Sequence, residues 1–411
     1  MLENKKSVII VGAGFAALSV VKNIDFDSYD VSIVSPRNHF LFTPLLPSTT
    51  VGTIEFRSII EPIRTSRDRL KYYQARCVSL SEKDNRIKCV TVQGGNEFEL
   101  TYDYLLIATG AVNNTFGIPG VKENALFLKE LSDARMIRGK IIDNFERASM
   151  PDVPESERKR LLRFVVVGGG PTGVEFAAEL NDFVRDDLVK WFPGSVGEVE
   201  IVILEATKQI LSAFDSRLAE YTIKLFQRQS IAVKTNSPVK EVKPTSIILH
   251  DGTTIPHGLV VWSTGIGPTE LVESLPFSRN RASRIVTDDF LKVGGTQNVY
   301  AAGDCATPAE NVIPATAQAA EQEGKYLADA FNRIAAGKNV TPFSYRHLGM
   351  LAYIGSRRAL ADLPNVKGKG FTAFLFWRSA YLTRLVSLKN KILVLFDWIK
   401  ASIFGRDISS F

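Results

Sequence analysis

Two segments of this chain repeat one local grammar. Residues 8–11 (Val-Ile-Ile-Val) form an apolar, β-branched run, followed by Gly12-Ala-Gly14-Phe-Ala-Ala17 and then Leu18-Ser-Val-Val-Lys22 at helical spacing. Residues 164–167 (Phe-Val-Val-Val) lead into Gly168-Gly-Gly170-Pro-Thr-Gly173 and an apolar-periodic stretch over 174–183. Each reads as strand, tight turn, helix. Glycines let a backbone come close to a pyrophosphate, and the following helix N-terminus offers unpaired N–H groups at the positive end of its dipole. Gly12 and Gly168 lie 156 residues apart, too far for a solenoid repeat and suited to two separate nucleotide-binding domains. The expected fold class is therefore α/β, with two Rossmann-like dinucleotide-binding domains.

Further strands fit this frame. Residues 31–34 and 199–204 supply the second strand of each unit. Residues 105–108 end in Thr109-Gly110, residues 260–263 in Thr264-Gly265, and residues 299–301 run toward Gly303-Asp304. Residues 152–163 are acidic, then basic, and follow Pro151; they read as a surface linker. The first unit's second strand ends in Ser35-Pro36-Arg37 with no acid, so Ser35 must meet the ribose hydroxyls or that contact is lost. The second ends at Glu205. A carboxylate there accepts from both ribose hydroxyls and repels a 2′-phosphate, which predicts NADH over NADPH; the alternative is an exposed strand-end acid. The long interval from Gly173 to Glu205 implies an insertion over 186–197.

Composition narrows the class. Apolar residues are 45% and charged residues 23% of the chain, which excludes disorder, collagen and coiled coil. Three cysteines without a C-x-x-C, and only four histidines, argue against a disulfide scaffold, a structural zinc site or other metal chemistry. From Arg346 to Phe411 there are 11 Lys/Arg and 3 acids, a net of +8, while the rest of the chain carries −2. The overall +6 is thus a property of the tail, not a nucleic-acid signal. No apolar run reaches the roughly 18 residues of a membrane-crossing helix. The short polar start before residue 8 reads as neither signal nor transit peptide, so none is needed or one was removed.

Two dinucleotide loops in one chain suggest one cofactor held and one exchanged, most simply a flavin and a nicotinamide. At this point the residues resemble a family. Gly12-x-Gly14, Thr109-Gly110, Gly168-x-Gly170-x-x-Gly173 with Glu175, Thr264-Gly265 and Ala301-Ala-Gly-Asp304 resemble the two-dinucleotide-domain flavoproteins. Within them the chain looks like a type II NADH dehydrogenase, the single-subunit NADH:quinone oxidoreductase. The hallmarks are Ser35-Pro-Arg-Asn-His-Phe-Leu-Phe-Thr-Pro-Leu-Leu-Pro47, Ala317-Gln-Ala-Ala-Glu-Gln-Glu323, and the tail from Trp377-Arg-Ser-Ala-Tyr-Leu-Thr-Arg384 to Phe404-Gly-Arg-Asp-Ile-Ser409. The tail and the Gln322-Glu323 pair look like the mitochondrial branch, and no D-x-[DN]-x-[DN]-G calcium loop occurs.

The resemblance implies non-covalent FAD along Gly12, Gly14 and Phe15, with Ser35, Arg37, Thr43, Pro44, Thr109, Gly110 and Gly303 near it and Asp304 bonding its ribityl or phosphate side. It implies NADH at Gly168, Gly170, Gly173, Glu175, Glu205 and Gly265. Gln318, Gln322 and Glu175 would serve catalysis, the two glutamines lining a quinone site. The spacing supports the last point: Gln318 and Gln322 are i and i+4 on one helix face, and neutral amides can bond quinone carbonyls. Glu321 and Glu323 are expected to point elsewhere, and a solvated polar face is the bland alternative. Sulfide:quinone oxidoreduction is a second reading, disfavoured because Cys305 lacks a partner thiol, with Cys77 and Cys89 in an unrelated strand region. A third is an apoptosis-inducing-factor-like flavoprotein that responds to NADH.

The tail carries Phe374, Trp377, Tyr381, Leu382 and Leu385 at helical spacing, flanked by Arg378 and Arg384. A second apolar segment, 392–399, is bracketed by Lys389, Lys391 and Lys400 and interrupted by Asp397. Aromatic, basic and interrupted, this reads as a helix lying in an anionic lipid headgroup layer through residues 371–411; the alternative is a helix pair buried against the core or a dimer partner. The expected organisation is an FAD domain over 1–115 and 286–345, an NADH domain over 116–285 and a membrane-association domain over 346–411. A homodimer on the mitochondrial inner membrane is expected, with the bacterial plasma membrane as alternative.

Overall fold

The apolar runs before the glycine turns form strands buried on both faces, because parallel sheets need helices on each side. A computed structural model describes residues 5–409. They fold as two units. The first comprises the chain up to Leu41, Ile60–Val112 and Ile266–His347; the second comprises Phe42–Ile59, Asn113–Gly265 and the chain from Leu348 onward.

In the first unit a five-stranded parallel sheet runs in the order Val299–Ala301, Tyr104–Ile107, Lys6–Val11, Tyr29–Val34, Lys71–Tyr73. Val8 pairs with Val31 on one side and Tyr104 on the other, and Val8 and Ile10 are fully buried. Helices Phe15–Asn23 and Ala317–Ala335 cross at Gly324, where a Cβ would stand 2.3 Å from the Ala16 carbonyl oxygen. Only glycine permits that approach. A three-stranded antiparallel sheet, Ala75–Ser81, Arg86–Thr91 and Glu97–Thr101, completes the unit.

The second unit repeats the order: Leu126–Phe127, Leu259–Trp262, Arg163–Val167, Glu200–Leu204, Ile231–Lys234, all parallel. Its glycine-turn helix, Pro171–Phe183, is buried at every position from Gly173 to Phe183. One face packs on its own sheet. The other meets residues 46–53 and the antiparallel strand Met350–Tyr353, whose sheet continues through Ala359–Asp362 and Lys367–Gly370. Buried acids on that face are the consequence.

Three expectations change. Residues 152–163 are not a linker: Glu155–Leu161 is a helix with Glu155 and Glu157 in its first turn and Arg158, Lys159 and Arg160 in its last. The acid-then-base order that suggested a solvated connection is the order that complements a helix dipole. The unit boundary falls after Gly265, not near 285, and residues 42–59 belong with the second unit. The tail segment packs within that unit, and its stripe faces inward. In helix Phe371–Arg384, Phe374 and Trp377 are buried, as is Leu385 just beyond it, while Arg378 lies over the Phe374 and Trp398 rings at 4.6 and 4.7 Å. Asp397, in helix Leu388–Phe404, is buried and accepts from the Glu55 amide and the Ser58 hydroxyl. The exposed face joins Ile392, Phe396 and Ile399 of the expected second segment to Phe371, Leu375, Phe376, Ile403 and Phe404, all at least 45% exposed. Helices apolar on both faces gave the sequence no contrast from which to choose the inner one. Among the described residues no helix is long and apolar enough to cross a membrane.

Candidate functional site

In the first unit the loop at Gly12 turns with φ +123°, and a Cβ there would lie 2.1 Å from the Ala108 carbonyl oxygen, so the first turn presses against the strand end leading to Thr109. Gly14 is the N-cap of helix Phe15–Asn23, with no side-chain cap and nothing within 4 Å of its would-be Cβ. The helix N-terminus therefore opens onto free space lined by backbone donors, a cradle that fits a pyrophosphate. Phe15 packs edge-on against Phe40, ring centres 4.9 Å apart. Ser35 is buried; its hydroxyl donates to the Arg37 carbonyl at 3.1 Å and lies 3.2 Å from the Arg37 amide as acceptor. The Arg37 guanidinium reaches back to the carbonyls of His39 and Ala13. Thr109 accepts from Thr269, and Gly110 has φ +69°. Thr43 and Pro44 form a short 3-10 turn in the second unit.

The Gly303–Cys305 turn rests on Glu323, which, as expected, does not share the face of Gln318 and Gln322. Glu323 is 0% exposed and accepts from the Gly303 amide at 2.7 Å. Burial pushes its carboxyl up to about 8, against the lowering influence of that hydrogen bond and of Arg284. Arg284, also buried, donates to the carbonyls of Ile313, Gly303 and Ala306. Cys305 is buried, bonded to the Ile107 and Ala302 carbonyls, and its thiol is pushed up to about 11. A helix charge read as surface is thus the prop of the Gly-Asp turn. The clue lay in the i, i+4, i+8 row Ala319, Glu323, Leu327, which is otherwise apolar.

Gln318 and Gln322 lie on helix Ala317–Ala335, capped by the Thr316 hydroxyl accepting from the Ala319 amide. Both are half-buried. Gln322 is a bracket: its amide donates to the Arg346 carbonyl at 2.9 Å and its oxygen accepts from the Arg346 amide at 3.0 Å.

In the second unit Gly168 has φ +113°, and Gly170 caps helix Pro171–Phe183 with open space before it. Gly173 is as close-packed as its place requires, its would-be Cβ 2.1 Å from the Gly168 carbonyl oxygen. Glu205 bonds the loop itself: one oxygen accepts from the Gly169 amide at 2.8 Å, the other from the Thr207 amide at 2.8 Å. Gly265 lies under Phe116, a residue sequence reading missed, which is 59% exposed with φ +54°. Glu175 is not beside Glu205. It is buried against strand Met350–Tyr353, accepting from the Tyr353 amide at 2.9 Å, and burial raises its carboxyl to about 8. Glu179 and Asp182 follow at i+4 and i+7. Glu179 accepts from Ser48 and Thr53, Asp182 from the Tyr353 hydroxyl and the Ser356 amide, with Asp182 raised by burial to about 6.

Comparison with known proteins places this geometry. The family described as pyridine nucleotide-disulphide oxidoreductase matches residues 6–324, and the NDH2 C-terminal domain matches residues 347–407. A probable NADH dehydrogenase of Dictyostelium discoideum is 50% identical over 417 residues, covering 100% of this chain and 92% of the relative. The mitochondrial internal alternative NAD(P)H-ubiquinone oxidoreductase A1 of Arabidopsis thaliana is 43% identical, covering 98% and 86%. The structure of NDH2 from Plasmodium falciparum in complex with NADH superposes with a TM-score of 0.94 at 30% identity, covering 99% of this chain and 100% of the other.

Proposed function

The chain belongs to the pyridine nucleotide-disulphide oxidoreductase family as a type II NADH dehydrogenase, an NADH:ubiquinone oxidoreductase that does not pump protons, and from that premise we propose how its residues divide the work. The first unit holds FAD non-covalently and the second holds NADH. The observation that carries this is the pair of uncapped helix N-termini at Gly14 and Gly170, with a strand-end carboxylate, Glu205, bonded to the loop of the second. Bound there, FAD would supply hydride acceptance from NADH and two-electron transfer to quinone.

The chain's own groups bind, orient and hold protons. The first helix N-terminus and Arg37 meet the FAD phosphates, Ser35 keeps the turn before Arg37 closed, and Thr109, Gly110, Gly303 and Asp304 line the cofactor from the strand ends, with Phe15 alongside. Glu205, fixed by two backbone donors, accepts from the adenosine ribose of NADH, and Gly168, Gly173 and Gly265 keep the path clear for its backbone contacts. Gln318 meets a quinone carbonyl, while Gln322 holds the chain at Arg346 in place beside it. Glu175, whose carboxyl burial pushes up, is a buried acid of the second unit placed to serve proton balance. The exposed apolar face of the last two helices, with Arg384, Lys389 and Lys391 nearby, seats the protein on an anionic leaflet of the mitochondrial inner membrane as a peripheral homodimer.

The test is the visible spectrum of the purified protein, then steady-state NADH oxidation with a soluble ubiquinone. Bound flavin and quinone-dependent turnover are expected; colourless protein would end the reading. Glu205 gives a sharper check. Glu205→Gln should shrink the preference for NADH over NADPH by about 10- to 100-fold in kcat/KM, the worth of roughly 1–3 kcal/mol for charged hydrogen bonds and repulsion. An unchanged ratio would remove Glu205 from the nucleotide site.

A further inference from the structure

The antiparallel hairpin of the first unit brings together two thiols that lie twelve residues apart in sequence. Strands Ala75–Ser81 and Arg86–Thr91 pair Arg76 with Val90 and Cys77 with Cys89, and the register then slips, so that Ser79 faces Lys88 and Val78 is the extra residue of a bulge. Residues directly opposed across antiparallel strands share a face, with Cα atoms about 4.5–5.5 Å apart. A disulfide spans about 4.4–6.8 Å between Cα atoms. The register alone therefore sets this pair within bridging reach, without strand movement. Both cysteines are free thiols, and both pack in one apolar cluster with Ile9, Val11, Leu105 and Ile107, the strands that carry the loops at Gly12 and Thr109. Their exposure differs: Cys89 is 0% exposed, while Cys77 is half-buried between exposed neighbours Arg76 and Val78. The two titrate as neighbours, Cys77 being raised and Cys89 lowered by the other sulfur.

We propose that Cys77 and Cys89 are a reversible thiol-oxidation site that closes to an intrahairpin disulfide on reaction with a soluble disulfide such as glutathione disulfide. Cys77 is the accessible thiol, and although its neighbour and burial hold its proton on, it attacks a glutathione sulfur once that proton is lost to solvent, forming a Cys77–glutathione bond and releasing one glutathione thiolate. Cys89 then attacks the Cys77 sulfur from within the core, forming the Cys77–Cys89 bond and releasing the second glutathione. Two protein thiols are oxidised, one glutathione disulfide is reduced to two glutathione molecules, and the two thiol protons leave with them. Cys305 stays out of this exchange, being buried and hydrogen-bonded to two carbonyls. The site is independent of the proposed cofactor and quinone contacts.

The experiment treats the purified full chain with glutathione disulfide, quenches with an alkylating agent in denaturant, and maps peptides by mass. The expected product is a linked 77–89 peptide, lighter by two hydrogens than the reduced pair and restored by dithiothreitol, with Cys305 alone alkylated. Cys89→Ser should stop at a stable Cys77–glutathione adduct, and Cys305→Ser should still form the link. Three alkylated cysteines, a persistent adduct on Cys77 in the unsubstituted protein, or a bridge to Cys305 would each overturn the proposal. The unsubstituted protein decides the matter even where a serine at the buried position impairs folding.

Discussion

Glu323→Ala is expected to yield protein that retains its fold but has lost most of its flavin, while Glu323→Gln remains yellow at pH 7. The reason is the Gly303 amide, which donates at 2.7 Å to a carboxyl with no exposure. Alanine leaves that donor buried without an acceptor, a penalty of about 1–3 kcal/mol, and the turn relaxes to find a partner. Because Gly303–Asp304 is the turn proposed to line the cofactor, the relaxation reads out as weaker flavin retention by roughly 5- to 150-fold. Glutamine keeps a carbonyl for the amide and resembles the protonated acid that burial favours. Flavin-to-protein absorbance ratios through purification check this; equal ratios for alanine and glutamine variants would remove Glu323 from the support of the site.

The same group gives stability a pH dependence of definite sign. Glu323 and Glu175 move from an ordinary 4.5 to about 8, and Asp182 from 3.8 to about 6. A carboxyl raised by folding binds a proton in the native state that the unfolded chain has released. Stability is therefore unaffected below the unfolded value, falls as pH rises between the two values, and reaches its full penalty above the folded one. The contribution of these carboxyls should fall as pH rises from about 5 to 8, by up to about 1.4 kcal/mol per pH unit for one such group, against an opposing rise below about pH 6.5 from buried His257, which folding lowers to about 4. Thermal unfolding of Glu323→Gln should show a shallower slope over that window. A parallel curve would mean the carboxyl is ionised in the fold.

What the sequence made legible follows the range of the forces involved. The two glycine loops, their strands and the helix at 317–335 were readable because turn, strand and helix signals are local, and both sheets take the order those signals require. Glu205 was readable for the same reason, standing one residue past its strand. The buried acids were not. Glu175, Glu179 and Asp182 look like the polar side of an amphipathic helix until a second layer, contributed by residues 46–53 and 350–356, covers them. That layer is more than a hundred residues away in the chain, and periodicity carries no information about it. The tail shows the converse failure, since helices with apolar residues all round offer no local mark of which face turns inward.

Arg406→Ala should be the most destabilising single substitution in the tail, by about 3–5 kcal/mol. Its side chain is 11% exposed and enters a set of buried carboxylates, 2.7 Å from Asp187, 3.9 Å from Glu179 and 3.7 Å from the more exposed Asp186. Its Nε donates to the Thr53 hydroxyl, and its backbone amide donates to Asp187. Gly405 makes the approach possible with φ +81°, where a Cβ would stand 2.5 Å from Asp187 Oδ1. One residue on, Arg138 donates to the Asp407 carbonyl at 2.7 Å. Alanine at 406 leaves Glu179, 4% exposed, without this cation and Asp187, 5% exposed, with only Lys190 at 3.9 Å, and the loss is the uncompensated charge as much as the pair itself. Lysine restores the charge but not the fork that reaches Asp187 and Thr53 together, so Arg406→Lys should recover only part of the stability. Arg86→Ala is the control, because its partner Glu99 is 52% exposed and such pairs are worth under about 1 kcal/mol. Urea unfolding of the three variants under one set of conditions separates the cases. Should Arg406→Ala and Arg86→Ala unfold alike, the carboxylates at 179 and 187 do not depend on the tail, and the last helix is held by its apolar face with Asn390, Asp397 and Lys400.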